Sequence, residues 1–355
     1  MKKKVTRILK ILIATIICIA VIIFVLVKFF SDNIEKSVIS MLQDKLEAPL
    51  IIGDVEFTIY DNFPSASVRI SNLLIKESKG FDNDTLLFAK RAYVEIKLTD
   101  IINNHYNLEN IIITDGNINI KYNSSNIPNF LILKEENNNK SSLEIKKISL
   151  LNSRVIVKKE TSKLNVDWLL KKSIISINQQ KYALTGEGFS NKLFVDSINY
   201  MDGKNFNIAS KIDIKKDTIK VLESKFNIQK VLFDIKGNIA NSNNIDLKIN
   251  VNKQDINKII THLPKKLKDI TSEFTVAGKI TLNGSIKGII DKENNPFLDM
   301  RYLINGGAIK FKNNTFELSD IQMKGALNNG DSKNLNSTQI KTDIFKAQTR
   351  NGDID

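Results

Sequence analysis

The side chains most often used for catalysis or metal binding are scarce in this sequence. The only histidines, His105 and His262, lie far apart, and the only cysteine, Cys18, lies within an apolar run. A lone cysteine excludes a disulfide within the chain, and zinc sites of the usual spacing need several Cys or His ligands. We expect both histidines to be surface or helix-end residues and Cys18 to be a small lipid-facing residue.

Short motifs that resemble catalytic signatures have simpler interpretations. Asp115 followed by Gly116 is typical of a tight turn, and Ser153 lies in N-S-R rather than in a nucleophile elbow. The glycines of G-E-G and G-G-A lack the spacing of a phosphate-binding loop. A catalytic site assembled from Asp, Glu and Lys residues distant in sequence is an alternative, but no pattern indicates one. The sequence therefore predicts no enzyme, no cofactor and no metal site.

The positive charge is concentrated at the N-terminus and otherwise dispersed. The net charge is +13, and five of the cations are Lys2, Lys3, Lys4, Arg7 and Lys10. The remaining lysines are spread along predicted strands, which indicates either a solvated face or attraction to anionic lipid headgroups. Nucleic-acid binding favours clustered arginines with interleaved aromatic residues, and neither occurs, so no nucleic-acid partner is expected.

The basic cluster precedes an apolar segment, residues 8–30, that is long enough to cross a bilayer as a helix. The flanking charge places the N-terminus in the cytoplasm and the rest of the chain across the membrane. A cleaved signal peptide is the alternative, but V-K-F-F-S-D-N follows the segment instead of a small-x-small cleavage site. We predict an uncleaved, single-pass anchor.

An amphipathic helix is predicted directly after the anchor. Ser31 or Asp32 can cap it, and Pro49 ends it. Its apolar side is formed by Ile34, Val38, Met41, Leu42 and Leu46. We expect this helix to act as a lid on the first strands; lying in the membrane surface is the alternative.

Most of the remaining chain alternates apolar and polar residues, as strands do. In the stretch from Asn62 to Lys76 the alternation slips by one residue, from Val68 and Ile70 to Leu73 and Ile75. A bulge near Asn72 would keep one face apolar throughout. The next strand carries Val94, Ile96 and Leu98 in phase, and a short helix is predicted from Thr99 or Asp100.

A hairpin with Asp115-Gly116 at its turn is predicted next, and a second hairpin matches it 37 residues later. The matched positions are Leu108, Ile111, Ile113, Ile118, Ile120 and Lys121, which correspond to Ile145, Ile148, Leu150, Val155, Val157 and Lys158. One matched pair indicates an internal repeat without proving one.

Three further features complete the organisation. The polar segment 134–142 is predicted as a loop, and a helix capped by Asp255 is predicted before Pro264. Gly278, Gly284 and Gly288 lie in strand-like sequence, which is typical of bulges or sheet curvature. The predicted divisions are a tail and anchor at 1–30, a helix and β-unit at 31–133, the loop at 134–142, a β-meander at 143–250, and a helix with the start of another β-unit at 251–355.

These elements predict a mainly β protein: an N-terminal transmembrane helix followed by a long curved antiparallel sheet that forms a trough, with a few amphipathic helices. The apolar face of such a sheet must be covered by a second sheet, a helix or a lipid. Its side chains are mostly aliphatic, which suits acyl chains. The predicted lining residues are Val68, Ile70, Leu73, Ile75, Val94, Ile96, Leu98, Ile118, Ile120, Val155, Val157, Phe206 and Ile208.

The order of these segments resembles that of the AsmA family of Gram-negative envelope proteins, especially its long Bacteroidetes forms. The resemblance rests on the anchor and amphipathic helix, then P-L-I-I-G-D-V, F-P-S-A-S-V-R-I-S-N-L-L-I, D-T-L-L-F-A-K-R-A-Y-V-E-I-K-L and L-E-N-I-I-I-T-D-G-N-I-N-I. Further on it rests on D-I-N-K-I-I-T-H-L-P, G-S-I-K-G and P-F-L-D-M-R-Y-L-I-N-G-G-A-I-K-F. Each pattern alone is weak, and their order along the chain is what resembles the family.

The resemblance implies an inner-membrane anchor, a periplasmic β-groove and phospholipid as the bound partner. It also implies a role in outer-membrane biogenesis and in protein targeting or assembly at that membrane. Because family members of this type usually continue for several hundred residues, we expect the chain to be a fragment. The alternatives are a non-enzymatic anchored β-scaffold that binds another envelope protein, and a secreted adhesin-like β-protein.

Overall fold

Strands make up most of the chain, as expected from the alternating pattern. The computed structural model describes residues 31–58, 61, 66–97, 109–134, 145–195, 198–240, 243–262, 273–312 and 315–355. The predicted anchor, Leu98, the short helix after it, nearly all of the polar loop and Pro264 lie outside these ranges. The chain divides into two compact units, Met1–Asn117 with Phe130–Leu151 and Ile118–Asn129 with Asn152–Asp355.

The first unit combines one helix with a small antiparallel sheet. Helix α1 covers residues 31–45, where the amphipathic helix was predicted. Its strands are β1 (Leu50–Ile51), β2 (Val55–Thr58), β3 (Ala66–Lys76) and β4 (Thr85–Ile96). Strand β3 is central, because β1 and β2 pair with one of its edges and β4 pairs with the other.

The strand is irregular at Asn72, but the predicted bulge is wrong, because no residue is inserted there. Asn72 has a φ of 51°, in the left-handed region that Asn tolerates better than most residues. The register between β3 and β4 does not shift there, since Ser71 is opposite Arg91 and Leu73 is opposite Ala89. On β4 the adjacent residues Lys90 and Arg91 are both exposed at the same level. The apolar phase therefore changes in both strands together, and Ile70 before the slip and Leu73 after it are both buried.

The two predicted hairpins are wrong. The first is a single strand, β5 (Asn110–Tyr122), and the second is a single strand, β6 (Lys147–Lys159). A hairpin turn of the Asp-Gly type needs two residues with positive φ, whereas here Asp115 has a φ of 54° and Gly116 is not left-handed. One left-handed residue distorts the strand without reversing it.

The 37-residue correspondence nevertheless survives in the structure. Asn152, which corresponds to Asp115, is also left-handed, with a φ of 46°. Ile113 and its counterpart Leu150 are both buried. The repeat is therefore one of distorted strands rather than of hairpins.

The second unit is an antiparallel meander. Its strands are β7 (Leu164–Asn178), β8 (Lys181–Val195), β9 (Ile198–Asn199), β10 (Lys204–Lys215), β11 (Thr218–Ile228), β12 (Val231–Ala240), β13 (Asn244–Asp255), β14 (Phe274–Ile289), β15 (Phe297–Phe311), β16 (Glu317–Asn328), β17 (Gln339–Thr349) and β18 (Gly352–Ile354). Strand β8 pairs with β7 on one edge and with β9 and β10 on the other. From β10 to β18 each strand pairs with the next.

Helix α2 (Ile256–His262) follows β13 directly. The backbone N–H of Asn257 donates to Oδ1 of Asp255 over 2.9 Å, which confirms the predicted cap. The predicted division between residues 250 and 251 falls inside β13, so the second unit continues through it.

Candidate functional site, an apolar sheet face

In the first unit the apolar face of the sheet is a closed core. Val68 and Ile70 on β3 are fully buried, and Val94 and Ile96 on β4 are 2% and 1% exposed. Aliphatic side chains this completely removed from water are packed against other protein atoms. They therefore offer no free apolar surface.

Helix α1 supplies part of that cover. Its Ile34 and Val38 are fully buried, on the side predicted to be apolar. Oε1 of Glu35, between them, accepts a hydrogen bond from the backbone N–H of Phe57 on β2 over 2.8 Å. The helix is thus bonded to the edge of the sheet, as the predicted lid requires.

The predicted lining residues of the first unit consequently lie in its core. Besides the four residues on β3 and β4, Leu73 is 6% exposed, and Ile75 is half-buried. Leu98 lies outside the described residues.

In the second unit apolar residues form rows across the strands. Residues directly opposite each other on neighbouring strands share a face of the sheet. The rows that they form are named here the apolar face. One row is Ile214, Ile219, Ile239 and Ile245; the next is Ile212, Val221, Gly237, Leu247, Ile286 and Leu298; a third is Ser210, Ser224, Ile235, Ile249, Gly284, Met300 and Leu327.

The apolar face differs from the first-unit core because its side chains stay accessible. All the isoleucines of the first row, and Leu247 and Ile286 of the second, are half-buried. Helix α2 contacts β13 and β14, and its described part is seven residues long. The face therefore presents a band of aliphatic side chains several strands wide.

One end of the apolar face carries an aromatic cluster. The ring centroids of Trp168 and Phe206 are 4.6 Å apart, and those of Phe206 and Phe226 are 5.8 Å apart. Phe206 lies over Gly188, where a Cβ would lie 3.2 Å from its ring. The glycine thus makes room for the ring on the neighbouring strand.

A loop closes this end of the face. Met201 is 1% exposed, and its carbonyl accepts a hydrogen bond from the hydroxyl of Ser190 over 2.8 Å. Ser190 is paired with Trp168, so the loop after β9 lies against the aromatic cluster. The apolar face is accordingly closed near β8 and β10 and accessible across the later strands.

The structure assigns the other predicted lining residues to the second unit. Phe206 is buried in the aromatic cluster, and Ile208 is half-buried and paired with Phe226. The remaining predicted residues are also half-buried: Ile118 and Ile120 on β5, and Val155 and Val157 on β6. Trp168 and the isoleucine row were missed as lining residues, although the alternation of their strands could have identified them.

An ion pair between an exposed arginine and a buried aspartate lies at the start of this sheet. The guanidinium of Arg154 on β6 donates to both carboxylate oxygens of Asp167 on β7, over 2.9 and 2.7 Å. The amide of Asn191 on β8 donates to the same carboxylate over 3.2 Å. These hydrogen bonds, that of Arg154 first, hold the pKa of Asp167 below its usual value.

The described residues contain no group of His, Cys, Asp and Glu side chains that could hold a metal ion. Within the same residues, no helix is both long and apolar enough to span a membrane. The predicted anchor, residues 8–30, lies outside them.

Comparison with protein-family models, with curated proteins and with solved structures gives no match to this chain. The resemblance to the AsmA family therefore stays a prediction from the sequence.

Proposed function

We propose that this chain is an inner-membrane-anchored envelope protein that carries phospholipid acyl chains on the apolar face of its second unit. One observation carries the proposal: half-buried aliphatic side chains run in continuous rows across β10 to β15. Apolar surface in water costs about 25 cal/mol per Å², and acyl chains cover such a surface without needing directional hydrogen bonds. The order of the N-terminal segments supports an AsmA-like role in outer-membrane biogenesis.

The test is covalent capture of lipid in cells. A phospholipid with a photoactivatable acyl chain should label peptides from β10 to β15, because those strands carry the accessible rows. Ile239→Asp should reduce that labelling strongly, since it places a charge in the isoleucine row. Asn238→Asp, one residue away on the exposed polar face, is the matched control and should label normally.

Equal labelling of the Ile239→Asp variant and the control would contradict the proposal. Lipid labelling of variants with a charged residue in place of Ile118 or Ile120 tests in addition whether the bound lipid extends to β5.

An anchored scaffold that binds another envelope protein is the second candidate. It is favoured by exposed apolar side chains in the first unit, where Ile51, Leu131 and Leu133 are 54%, 57% and 66% exposed. Exposed apolar groups of this size are typical of protein contacts. Their replacement by serine should release a protein partner and leave lipid labelling unchanged.

A further inference from the structure

The polar face of the second unit, on the side of the sheet opposite the apolar face, contains a depression of about 1010 Å³. It spans β11 to β15. Most of its lining belongs to the polar face: Glu223, Lys225, Asp234, Lys236, Lys248, Asn250, Asn283, Ser285 and Arg301. Ser224, Ile249 and Gly284, which belong to the third row of the apolar face, line it as well.

Two of these lysines face each other. Lys236 on β12 and Lys248 on β13 are directly opposite in the register, an arrangement in which like charges destabilise a sheet. Neither lysine forms an ion pair with any residue that the structure describes. Two other lysines on this side of the sheet do form ion pairs, Lys287 with Asp246 and Lys211 with Glu223, each at 3.4 Å.

Further hydrogen-bond donors lie beside the two lysines, on the strands between β13 and β15. Ser285 is opposite Lys248, and Asn283 is opposite both Asn250 and Arg301. Arg301, too, lacks an ion-pair partner within the described ranges. Cationic, amide and hydroxyl donors thus converge between β12 and β15.

Three carboxylates limit the positive charge of this region. Glu223 is engaged by Lys211, and Asp234 lies between Lys225 and Asn250 on the β12 side. Asp299 is opposite Ser285 but does not line the depression. The part of the depression lined by Lys248, Asn283, Ser285 and Arg301 contains no carboxylate.

A second depression, of about 560 Å³, adjoins the first. It shares Asn283 and Arg301 and adds Lys324 and Lys341, the latter paired with Asp343 at 3.1 Å. Because Arg301 belongs to both depressions, a ligand bound at Arg301 has cations on either side.

We propose that this region binds a ligand carrying more than one phosphate group, with Lys236, Lys248 and Arg301 as its principal contacts. Phosphate oxygens accept several hydrogen bonds at once, Arg can bind two of them in a fork, and Lys acts as a mobile point charge. Charge complementarity relieves the repulsion between Lys236 and Lys248. The site does not depend on lipid binding, since it lies on the other side of the sheet.

Calorimetric titration of the full chain, purified in a nonionic detergent, tests the site with tripolyphosphate as the probe. The Lys236→Gln, Lys248→Gln double variant should lose affinity by about tenfold or more. Arg301→Gln should do the same. Lys287→Gln is the matched control, because it removes one exposed cation from the same face outside the depression, and its affinity should change by less than about twofold.

Circular dichroism of each variant establishes that the sheet is intact. Equal losses in the double variant and in Lys287→Gln would identify an adventitious ion only and overturn the proposal. Absence of binding by the wild-type chain to either phosphate probe at millimolar concentration would overturn it as well.

A second probe distinguishes the source of the phosphate. Glycerophosphoglycerol carries the headgroup chemistry of an anionic lipid without acyl chains. Because glycerophosphoglycerol has a single phosphate, tighter binding of tripolyphosphate supports a ligand with several phosphate groups. Tighter binding of glycerophosphoglycerol would overturn that part of the proposal in favour of a lipid headgroup. Lipid labelling of the apolar face should be unchanged in the double variant, so the two proposals can fail separately.

Discussion

Strand β3 of the first unit and strand β13 of the second both alternate apolar and polar residues, but their apolar side chains are buried to different extents. Val68 and Ile70 on β3 are fully buried, whereas Leu247 and Ile249 on β13 are half-buried. The residue types are equivalent, and alternation defines one apolar face in each strand. What differs is the element available to cover that face.

The cover of the first unit comes from the segment directly before its strands. Helix α1 is fifteen residues long in its described part, 31–45, and presents Ile34 and Val38 to the core. Helix α2 of the second unit has seven residues in its described part, 256–262, and these alone cannot cover a meander of this width. The comparison indicates that the first unit is built for stability and that the second keeps an apolar surface accessible.

The largest expected effect contrasts one isoleucine from each unit. Ile70→Ala should lower the free energy of unfolding by about 3 kcal/mol or more, because it leaves a cavity in a closed core. Ile249→Ala should cost about 1 kcal/mol, because its side chain is only partly removed from water. Chemical denaturation of both variants measures the difference, and equal losses would contradict the distinction between core and accessible face.

A smaller effect is expected where the second unit is itself closed. Met201→Ala should cost about 2 kcal/mol, because Met201 is buried against the aromatic end of the face. The emission of Trp168, the only tryptophan, should shift to longer wavelength as water reaches it. Asp202→Ala, an exposed neighbour, serves as control; an unchanged spectrum for Met201→Ala would show that the loop does not close this end.

The ion pair at the start of the second sheet should make stability depend on pH. The hydrogen bonds of the pair lower the pKa of Asp167 in the folded state. The pair therefore stabilises the folded protein at pH values above 3.8, the usual pKa of an aspartate. That contribution disappears as the pH falls through the lower pKa of the folded protein. Asp167→Asn should cost about 1–2 kcal/mol at neutral pH and flatten the loss of stability on acidification.

Unfolding of the wild-type chain and of Asp167→Asn from pH 7 to pH 2 checks this prediction. Parallel pH profiles would show that Asp167 does not contribute to the acid sensitivity. Asp213→Asn is a control on another strand, outside the Arg154 pair.

The smallest expected effect concerns the hydrogen bond that holds helix α1 to strand β2. Glu35→Ala removes the acceptor of the Phe57 N–H and should cost about 1 kcal/mol. Lys36→Ala, which is exposed on the same helix, should be neutral. Hydrogen exchange of the Phe57 amide should accelerate in the first variant only, and unchanged exchange would mean that the bond does not hold α1 to β2.

Local features were predicted better than long-range ones. The amphipathic α1 and the Asp255 cap follow from interactions between residues close in sequence, and both are confirmed. The irregularity near Asn72 was located correctly, but it is a left-handed residue and not the predicted bulge. The hairpin predicted at Asp115-Gly116 was wrong. A residue pair that favours a turn can remain extended when its strand is hydrogen-bonded to a neighbouring strand on each side, as β5 is to β4 and β6. Val68 and Val94 were predicted to line a lipid groove, although α1 was also predicted to cover the first strands; in the structure both are buried.

The sequence by itself determined a mainly β chain with strands of one apolar face, because side-chain alternation is a property of the extended backbone and needs no distant partner. The tertiary structure decided which of those faces became a core and which stayed accessible. It also brought Lys236, Lys248 and Arg301 to one side of a sheet, because only strand register aligns residues so far apart in the chain.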